Sequence, residues 1–287
     1  KVGYDAINAA DLIVSFGASL SNFTTDRGLL FEGKRVVQIS DDPRDISHHF
    51  RPDFVLIADP IQTAENIQYW LDQAEISPSG FATEIKHQAI DKETFKSSSS
   101  TQNGRIDFRS ALDQLEQKLP KNRLVVTDGG RFMTEVWSRI SVPHPKNFVH
   151  SANFAAIGQG LQQALGAAIA KPNEFTCLFV GDGGFMLGAI NEFNTAVRMK
   201  INLLLIVCND SAYGAEYIQF KDRQMSPALS EFDWPSFADV ATSLGGKGFK
   251  VTNEEELDVA INQLDGLNGP ILFELCLDPD EMPRMKL

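Results

Sequence analysis

The stretch that most constrains this chain of 287 residues runs through residues 175–220. It reads as an apolar run, a glycine-rich turn, a helical segment and a second apolar run. Short continuous apolar runs joined by a helix are typical of buried parallel strands. Parallel strands linked by a crossover helix end at the same edge of their sheet. The pattern therefore predicts that Asp182 and Asn209, which follow the two runs, lie side by side where open α/β sheets bind ligands.

The residue types at this edge indicate a cation that carries a phosphate group. Carboxylate, amide and backbone carbonyl oxygens are suitable ligands for Mg²⁺, which usually takes few protein ligands together with phosphate oxygens. We expect the metal ligands to be Asp182, Asn209 and the backbone carbonyl of Ser211. Glycines let a backbone approach a phosphate closely, although a Gly-Asp-Gly turn by itself can equally be a simple strand-to-helix connection. The glycines of this predicted phosphate-binding turn are Gly181, Gly183 and Gly184.

Composition excludes several classes of protein. A net charge of −12 and a pI near 4.9 argue against a nucleic-acid partner, which needs a basic face, and do not favour anionic membranes. With 43% apolar and 22% charged residues, the chain is typical of globular proteins. The 3 cysteines lack CxxC spacing and are interpreted as buried, reduced thiols. With no membrane-length apolar run and no visible signal peptide, we expect a cytoplasmic protein.

Changes in amino-acid composition along the chain indicate its domain organisation. Residues 1–76 contain short apolar runs at 12–16, 35–39 and 54–58, and are interpreted as the later half of an α/β domain. Residues 77–104, which are polar and serine-rich, are predicted to be a linker. Residues 105–287 are predicted to form a second α/β domain, including a small-residue helix over 151–170. The chain begins without Met inside an α/β pattern, so we interpret it as a fragment.

The glycine-rich turn and the later asparagine together resemble a known family, the thiamine diphosphate (ThDP) enzymes of the acetolactate synthase, benzoylformate decarboxylase and pyruvate decarboxylase type. Those enzymes carry Gly-Asp-Gly, here residues 181–183, followed further along the chain by Asn-Asn. In this chain Cys208 stands in place of the first Asn and Asn209 matches the second, which is the family's metal ligand. The resemblance implies ThDP and Mg²⁺ as cofactors and a Rossmann-like, three-layer parallel sheet for the diphosphate-binding domain.

Two further segments carry the same resemblance. Residues 126–132 resemble the family's first diphosphate-contacting loop, and residues 153–158 resemble the segment that forces the cofactor into its bent conformation. The resemblance implies that Ile157 lies under the cofactor and that the Ala155 carbonyl accepts from its amino group. Judged without the resemblance, Ile157 is simply a core residue. The other cofactor-binding residues implied in this way are Gly130, Arg131, Phe132, Tyr213 and Gly214.

The family resemblance implies an enzyme that cleaves or forms C–C bonds next to the carbonyl of a 2-oxo acid, with acetolactate synthase-like carboligation as the first interpretation. The synthases carry a Trp in the loop after the metal motif, whereas this chain has Tyr217-Ile218-Gln219-Phe220. A 2-oxo acid decarboxylase or aldehyde lyase therefore remains open. A hypothesis of another class is a non-catalytic ThDP-fold domain used in regulation or assembly.

The resemblance also implies what lies outside this chain. The family's activating Glu belongs to an N-terminal pyrimidine-binding domain, so no catalytic residue is expected within residues 1–287. Because the family's site forms between two subunits, we expect a homodimer or homotetramer acting on a small molecule, and an inactive half-site in this chain alone. Residues 1–76 resemble part of the family's central Rossmann-like domain, which binds FAD in some members, so FAD is a possible second cofactor.

Overall fold

Strands and helices alternate along the chain, for which a computed structural model describes residues 2–22, 24–46, 49–81, 83, 104–150, 156–188 and 190–282. The chain divides into two compact units, residues 1–96 and 97–286, and each is described by itself. The predicted bounds 1–76, 77–104 and 105–287 stay predictions. Most of the predicted linker, residues 84–103, lies outside the described residues.

The first unit contains a small parallel sheet. Its strands are β1 (Leu12–Phe16), β2 (Arg35–Ser40) and β3 (Phe54–Ile57), and its helices are α1 (Val2–Ala9) and α2 (Pro60–Gln73). The strand order is β1-β2-β3, and both pairings are parallel. The three predicted strands are thus present and pair in the order of the chain.

Burial within the first unit is uneven. Val36 and Ile39 on the central strand β2 are fully buried, whereas every residue of β3 is exposed. On α2, Trp70 is 67% exposed. The exposed apolar surface of this unit therefore lies on its two edge strands, β1 and β3, and on helix α2.

The second unit is built on a larger parallel sheet. Its strands are β4 (Arg123–Thr127), β5 (Phe148–His150), β6 (Phe175–Gly181), β7 (Leu203–Asn209), β8 (Lys247–Val251) and β9 (Ile271–Cys276). Its helices are α3 (Phe108–Lys118), α4 (Met133–Arg139), α5 (Gly160–Ala170), α6 (Asp182–Leu187), α7 (Glu192–Arg198), α8 (Gly214–Asp222), α9 (Phe237–Ser243) and α10 (Glu254–Ile261). The strand order is β5-β4-β6-β7-β9-β8, with every pairing parallel. Across the described residues, no helix has both the length and the apolar character that crossing a membrane requires.

Strand β7 shows why this sheet is covered on both faces. All seven of its residues are buried, as expected for a central parallel strand. Successive side chains of a strand point to opposite faces, and here Leu205 belongs to the apolar core on one face and Ile206 to the core on the other. Leu178 and Phe179 on β6 are divided in the same way. The predicted α/β fold with a three-layer, parallel-sheet domain is confirmed.

Two local predictions differ from the structure. The helix predicted over residues 151–170 begins only at Gly160, because the preceding residues 156–159 are not helical and Gly158 has a φ of 86°. That backbone conformation strongly favours glycine and does not continue an α-helix. Strand β8 was not predicted, since its sequence, KGFKV, contains no continuous apolar run.

An ion-pair network fastens helix α4 to α3. Arg109 makes two 3.0 Å hydrogen bonds to the Glu135 carboxylate. Arg139 donates to Glu135 at 3.2 Å and to Asp113 at 2.6 Å. Burial acts to raise the pKa of Glu135, but the hydrogen bonds and charges of Arg109 and Arg139 outweigh it and the pKa is lowered.

We expect Glu135→Gln to reduce the free energy of unfolding by about 1–2 kcal/mol at pH 7. A carboxylate whose pKa is lowered on folding stabilises the protein above its unfolded pKa and loses that contribution as pH falls through the folded value. The difference between wild type and variant should therefore shrink on acidification below about pH 4, as measured by urea unfolding. The exposed Glu231→Gln serves as the control, and an equal loss of stability in both variants would contradict the assignment.

Candidate functional site

The carboxyl ends of β6 and β7 bring two acidic residues together. The strands are parallel, and Gly181 pairs with Cys208 in their register. Asp182 follows Gly181 as the first residue of α6, and Asp210 follows the end of β7. Both are buried, with 2% of Asp182 and 5% of Asp210 exposed. The strand-end geometry that the sequence predicts is present, with a second carboxylate beside the first.

One oxygen of the Asp182 carboxylate, Oδ2, accepts hydrogen bonds from two N–H donors. The backbone N–H of Ala212 donates to its Oδ2 at 3.0 Å, and the indole Nε1 of Trp234 donates to the same oxygen at 2.8 Å. Neither donor carries a positive charge. The two hydrogen bonds fix the orientation of the carboxylate. Because both donors are neutral, they do not neutralise its negative charge.

The two carboxylates repel each other in a buried setting. Burial, and after it the charge of Asp210, raises the pKa of Asp182 well above its usual range. Burial also raises the pKa of Asp210, although the nearby Arg131 guanidinium opposes that shift. Desolvation and a like charge both disfavour an ionised carboxylate. A divalent cation between the two would reverse this penalty, because it supplies the opposite charge at the same place.

The Asn209 amide, which the sequence predicts to be a metal ligand, makes hydrogen bonds within the chain. Its Nδ2 donates to Glu274 Oε1 at 2.8 Å, and its Oδ1 accepts from the backbone N–H of Ser211 at 3.0 Å. Glu274, which is buried on β9, also accepts from the N–H of Ala238 in α9 at 3.1 Å. The Asn209 amide thus joins β7 to β9 and α9, and Asp182 has Asp210 as its electrostatic neighbour.

The backbone carbonyl of Ser211, the third predicted ligand, is also engaged within the chain. It accepts from the N–H of Phe232 at 2.9 Å. Ser211 itself has a φ of 57°, in the left-handed region. This turn directs the chain from the end of β7 into an isolated antiparallel bridge between Ala212 and Glu231.

The glycines of the site make room for the protein's own side chains. A Cβ on Gly183 would lie 2.3 Å from the Tyr213 ring, and one on Gly130 would lie 2.6 Å from the Phe132 ring. A Cβ on Gly214 would meet Asp210 Oδ2 at 2.7 Å. Side chains at these positions would displace the aromatic rings and the carboxylate.

Two further glycines of the site have neighbours of the same kind. A Cβ on Gly184 would lie 2.7 Å from Asp128 Oδ2. A Cβ on Gly181 would lie 3.4 Å from the Phe132 ring, which is a looser contact.

Arg131, predicted to lie near the terminal phosphate, holds the end of the described chain. Its guanidinium donates to the backbone carbonyl of Pro279 at 2.7 Å and to that of Met282. The residue is 3% exposed. Its position beside Asp210 keeps a positive charge at the site, while its hydrogen bonds fix residues 279–282.

Ile157 lies at the same edge of the sheet, and Ala155 lies outside the described residues. Ile157 is partly exposed and not a core residue. Its Cγ2 would lie 3.4 Å from a Cβ built on Gly129. The next residue, Gly158, donates its N–H to the buried Asp128 carboxylate at 2.6 Å. Asp128 therefore anchors the short segment that presents Ile157.

Residues that sequence reasoning did not identify in this site are Asp128, Asp210 and Trp234. For Asp210 a signal was available, because it carries a carboxylate and directly follows the last residue of β7. Trp234 gave no such signal, since it lies 52 residues from its partner Asp182.

The composition of the site suits a cation with few protein ligands. The described residues contain no group of three or more His, Cys, Asp or Glu that could hold a metal ion. A cation here would take the two carboxylates and complete its coordination with backbone or ligand oxygens. Mg²⁺ is usually bound in this way, with one or two carboxylates and phosphate oxygens.

Comparison with known proteins identifies the family. Residues 128–275 match the family model described as thiamine pyrophosphate enzyme, C-terminal TPP binding domain. The match covers slightly more than half of the chain. The chain belongs to the thiamine pyrophosphate enzyme family. The resemblance inferred from the sequence is thereby confirmed.

Relatives of this thiamine pyrophosphate enzyme include acetolactate synthases. The chain is 28% identical over 173 residues to the acetolactate synthase isozyme 2 large subunit of Escherichia coli, covering 58% of this chain and 31% of that protein. It is 24% identical over 291 residues to a probable acetolactate synthase large subunit of Methanocaldococcus jannaschii, covering 98% of this chain and 49% of the relative.

A solved structure shares the fold. The thiamine diphosphate-dependent 4-hydroxybenzoylformate decarboxylase of Rhodococcus jostii RHA1 superposes with a TM-score of 0.71 at 20% identity, over 97% of this chain and 51% of that one. The matched regions thus cover 31% to 51% of the length of these relatives. The likeness shows the fold, and the activity of the complete protein is a matter for proposal.

We expect Asp210→Asn to stabilise the cation-free protein by about 1 kcal/mol, because the buried charged form is disfavoured overall. This corresponds to a rise of a few degrees in Tm at pH 7.5 in EDTA. The exposed Asp265→Asn removes the same charge outside the site and should leave Tm unchanged. A lower Tm for Asp210→Asn than for wild type would contradict the repulsion between the two carboxylates.

Proposed function

We propose that this chain binds the diphosphate end of ThDP through Mg²⁺ and belongs to an acetolactate synthase-like enzyme that acts on 2-oxo acids. The observation that carries the proposal is the buried Asp182–Asp210 pair at the carboxyl ends of neighbouring parallel strands, inside the region that matches the TPP binding domain. Two ionised carboxylates in one buried place disfavour each other. Arg131 offers one positive charge beside Asp210, and in this proposal Mg²⁺ compensates the remaining negative charge.

The proposed metal ligands are shifted by one residue from the sequence prediction. Asp182 and Asp210 supply carboxylate oxygens, and the backbone carbonyl of Ala212 replaces that of Ser211. This choice keeps the two-residue spacing between side-chain and backbone ligand. It is supported by the hydrogen bonds that occupy the Asn209 amide and the Ser211 carbonyl.

The proposed cofactor cradle uses the loops around this pair. The turn at Gly181, Gly183 and Gly184, the loop at Gly130, Arg131 and Phe132, and the Tyr213-Gly214 segment surround the diphosphate in this proposal. Arg131 contributes positive charge while it remains bonded to the chain's end. When bound, ThDP supplies the electron sink for reactions next to a carbonyl group.

Ile157 supports the proposed cofactor from below. It is partly exposed, and Asp128 fixes its position through the neighbouring Gly158 N–H. An apolar side chain fixed in this manner can orient a ring system by contact without hydrogen bonding to it. The Ala155 carbonyl stays in the proposal as the acceptor for the cofactor's amino group.

The whole enzyme extends beyond what this chain contributes. We place the carboxylate that activates the cofactor outside residues 1–287, and the complete site between subunits of a homodimer or homotetramer. The relatives named above as acetolactate synthases support the choice of 2-oxo acids as substrates. FAD has no support from the family model, so it is not part of the proposal.

The test is calorimetric titration of ThDP into the complete protein, with Mg²⁺ and with EDTA. We expect binding with Mg²⁺ and its loss in EDTA. Asp182→Ala should weaken Mg²⁺-dependent binding by about a hundredfold or more, since it removes a direct ligand. Asp265→Ala serves as the control.

Three outcomes would contradict the proposal or a part of it. Equal ThDP binding in EDTA would contradict the proposed metal requirement. No binding in either condition would contradict the proposed cofactor site. Mg²⁺-dependent binding without CO₂ release from any 2-oxo acid tested would instead support the non-catalytic ThDP-fold hypothesis.

A further inference from the structure

Trp234 reaches the candidate metal centre from a different part of the chain. It lies between α8 and α9, 52 residues after Asp182, and its indole N–H donates to Asp182 Oδ2 at 2.8 Å. It is the one side chain in the described part of the chain with a hydrogen bond to that carboxylate.

The indole is held in place by an aromatic series. Trp234 stacks on Phe232, with ring centroids 4.5 Å apart and an interplanar angle of 19°. Phe232 meets the Tyr213 ring edge-on at 4.7 Å, and the Tyr213 ring fills the space beside Gly183. The Trp234 ring also lies beside the ring of the buried Phe237, with the two centroids 6.4 Å apart. Aromatic contacts of this kind limit the movement of each ring.

The backbone of the same segment is fixed to the end of β7. Tyr213 donates its N–H to the Ser230 carbonyl at 2.8 Å, and Phe232 donates to the Ser211 carbonyl at 2.9 Å. These bonds surround the bridge between Ala212 and Glu231. Both donors to Asp182 Oδ2, Ala212 and Trp234, therefore belong to one connected piece of structure.

The chemistry of the indole suits it to orienting a metal ligand. Its Nε1–H is a donor and cannot accept a hydrogen bond or coordinate a cation. A Trp that binds one carboxylate oxygen fixes the plane of the carboxylate and does not compete for the metal. Partners of this type tune metal affinity by orienting the direct ligands.

We propose that Trp234 is a positioning residue for the cation site: it holds Asp182 through Oδ2 so that the carboxylate faces Asp210 and the cation between them. This inference rests on the proposed Mg²⁺–ThDP site and adds a residue to it. It also makes the Trp234 indole a neighbour of the cation. Binding of Mg²⁺ with ThDP should therefore change the fluorescence of this residue.

The test compares Trp234→Phe with wild type in the complete protein. Phenylalanine keeps an aromatic ring for the stack on Phe232 and removes the N–H. We measure the Mg²⁺ concentration that gives half-maximal ThDP binding, by calorimetry at fixed ThDP. The variant should need about ten- to a hundredfold more Mg²⁺. At saturating Mg²⁺, its affinity for ThDP should return to near the wild-type value.

The chain offers a matched control in Trp137→Phe. The Trp137 indole donates to Thr127 Oγ1 at 3.1 Å and packs edge-on against His150. This variant loses an indole hydrogen bond of the same kind away from the two carboxylates. It should keep the wild-type Mg²⁺ requirement. The fluorescence change on adding Mg²⁺ and ThDP should persist in Trp137→Phe and disappear in Trp234→Phe.

Three outcomes would overturn the inference. An unchanged Mg²⁺ requirement in Trp234→Phe, while wild type shows Mg²⁺-dependent binding, would show that Asp182 needs no such partner. An equal increase in both variants, with equal losses of Tm, would reduce Trp234 to a general structural role. Absence of Mg²⁺-dependent ThDP binding in wild type would remove the proposed function itself, and with it this inference.

Discussion

The repulsion between the buried Asp182 and Asp210 carboxylates is the constraint on which the rest of the site depends. Two parallel strands end side by side, and each delivers an acidic side chain into a desolvated place. Folding alone does not favour such a pair, because burial and like charge both raise the free energy of the ionised form. Natural proteins keep such arrangements mainly where a function uses them. The surrounding hydrogen bonds, rings and glycines can be understood as the means of holding this pair.

The residues around this pair depend on the space left by glycines as well as on direct contacts. Gly183 leaves the space that the Tyr213 ring fills, and Tyr213 supports Phe232, on which Trp234 stacks. A larger residue at Gly183 would therefore displace Tyr213 and, through Phe232, disturb the hydrogen bond from Trp234 to Asp182. The glycine-rich turn thus has a structural role within the chain besides the phosphate-binding role proposed for it.

The sequence predicted the sheet well and the details of the site less well, for physical reasons. Strands β6 and β7 are continuous apolar runs buried on both faces, so they were recognisable without a structure. The edge strand β8 carries lysines and a glycine, and its pairing with β9 was invisible locally. The helix start at Gly160 follows Gly158, whose positive φ accompanies a hydrogen bond to Asp128, 30 residues away in sequence. The proposed shift from Asn209 to Asp210 rests on the hydrogen bonds of Asn209 to Glu274 and Ser211, and the Trp234 contact also depends on tertiary packing.

The hydrogen bonds of Arg131 give the site a link to the end of the described chain. One guanidinium neighbours Asp210 and also bonds the carbonyls of Pro279 and Met282. A cation that neutralises Asp210 would change the electrostatic field acting on Arg131, and through it the hold on residues 279–282. Thermodynamic linkage makes this coupling reciprocal. A change in how residues 279–282 are held would therefore change the field of Arg131 at Asp210, and with it the affinity of a cation bound there.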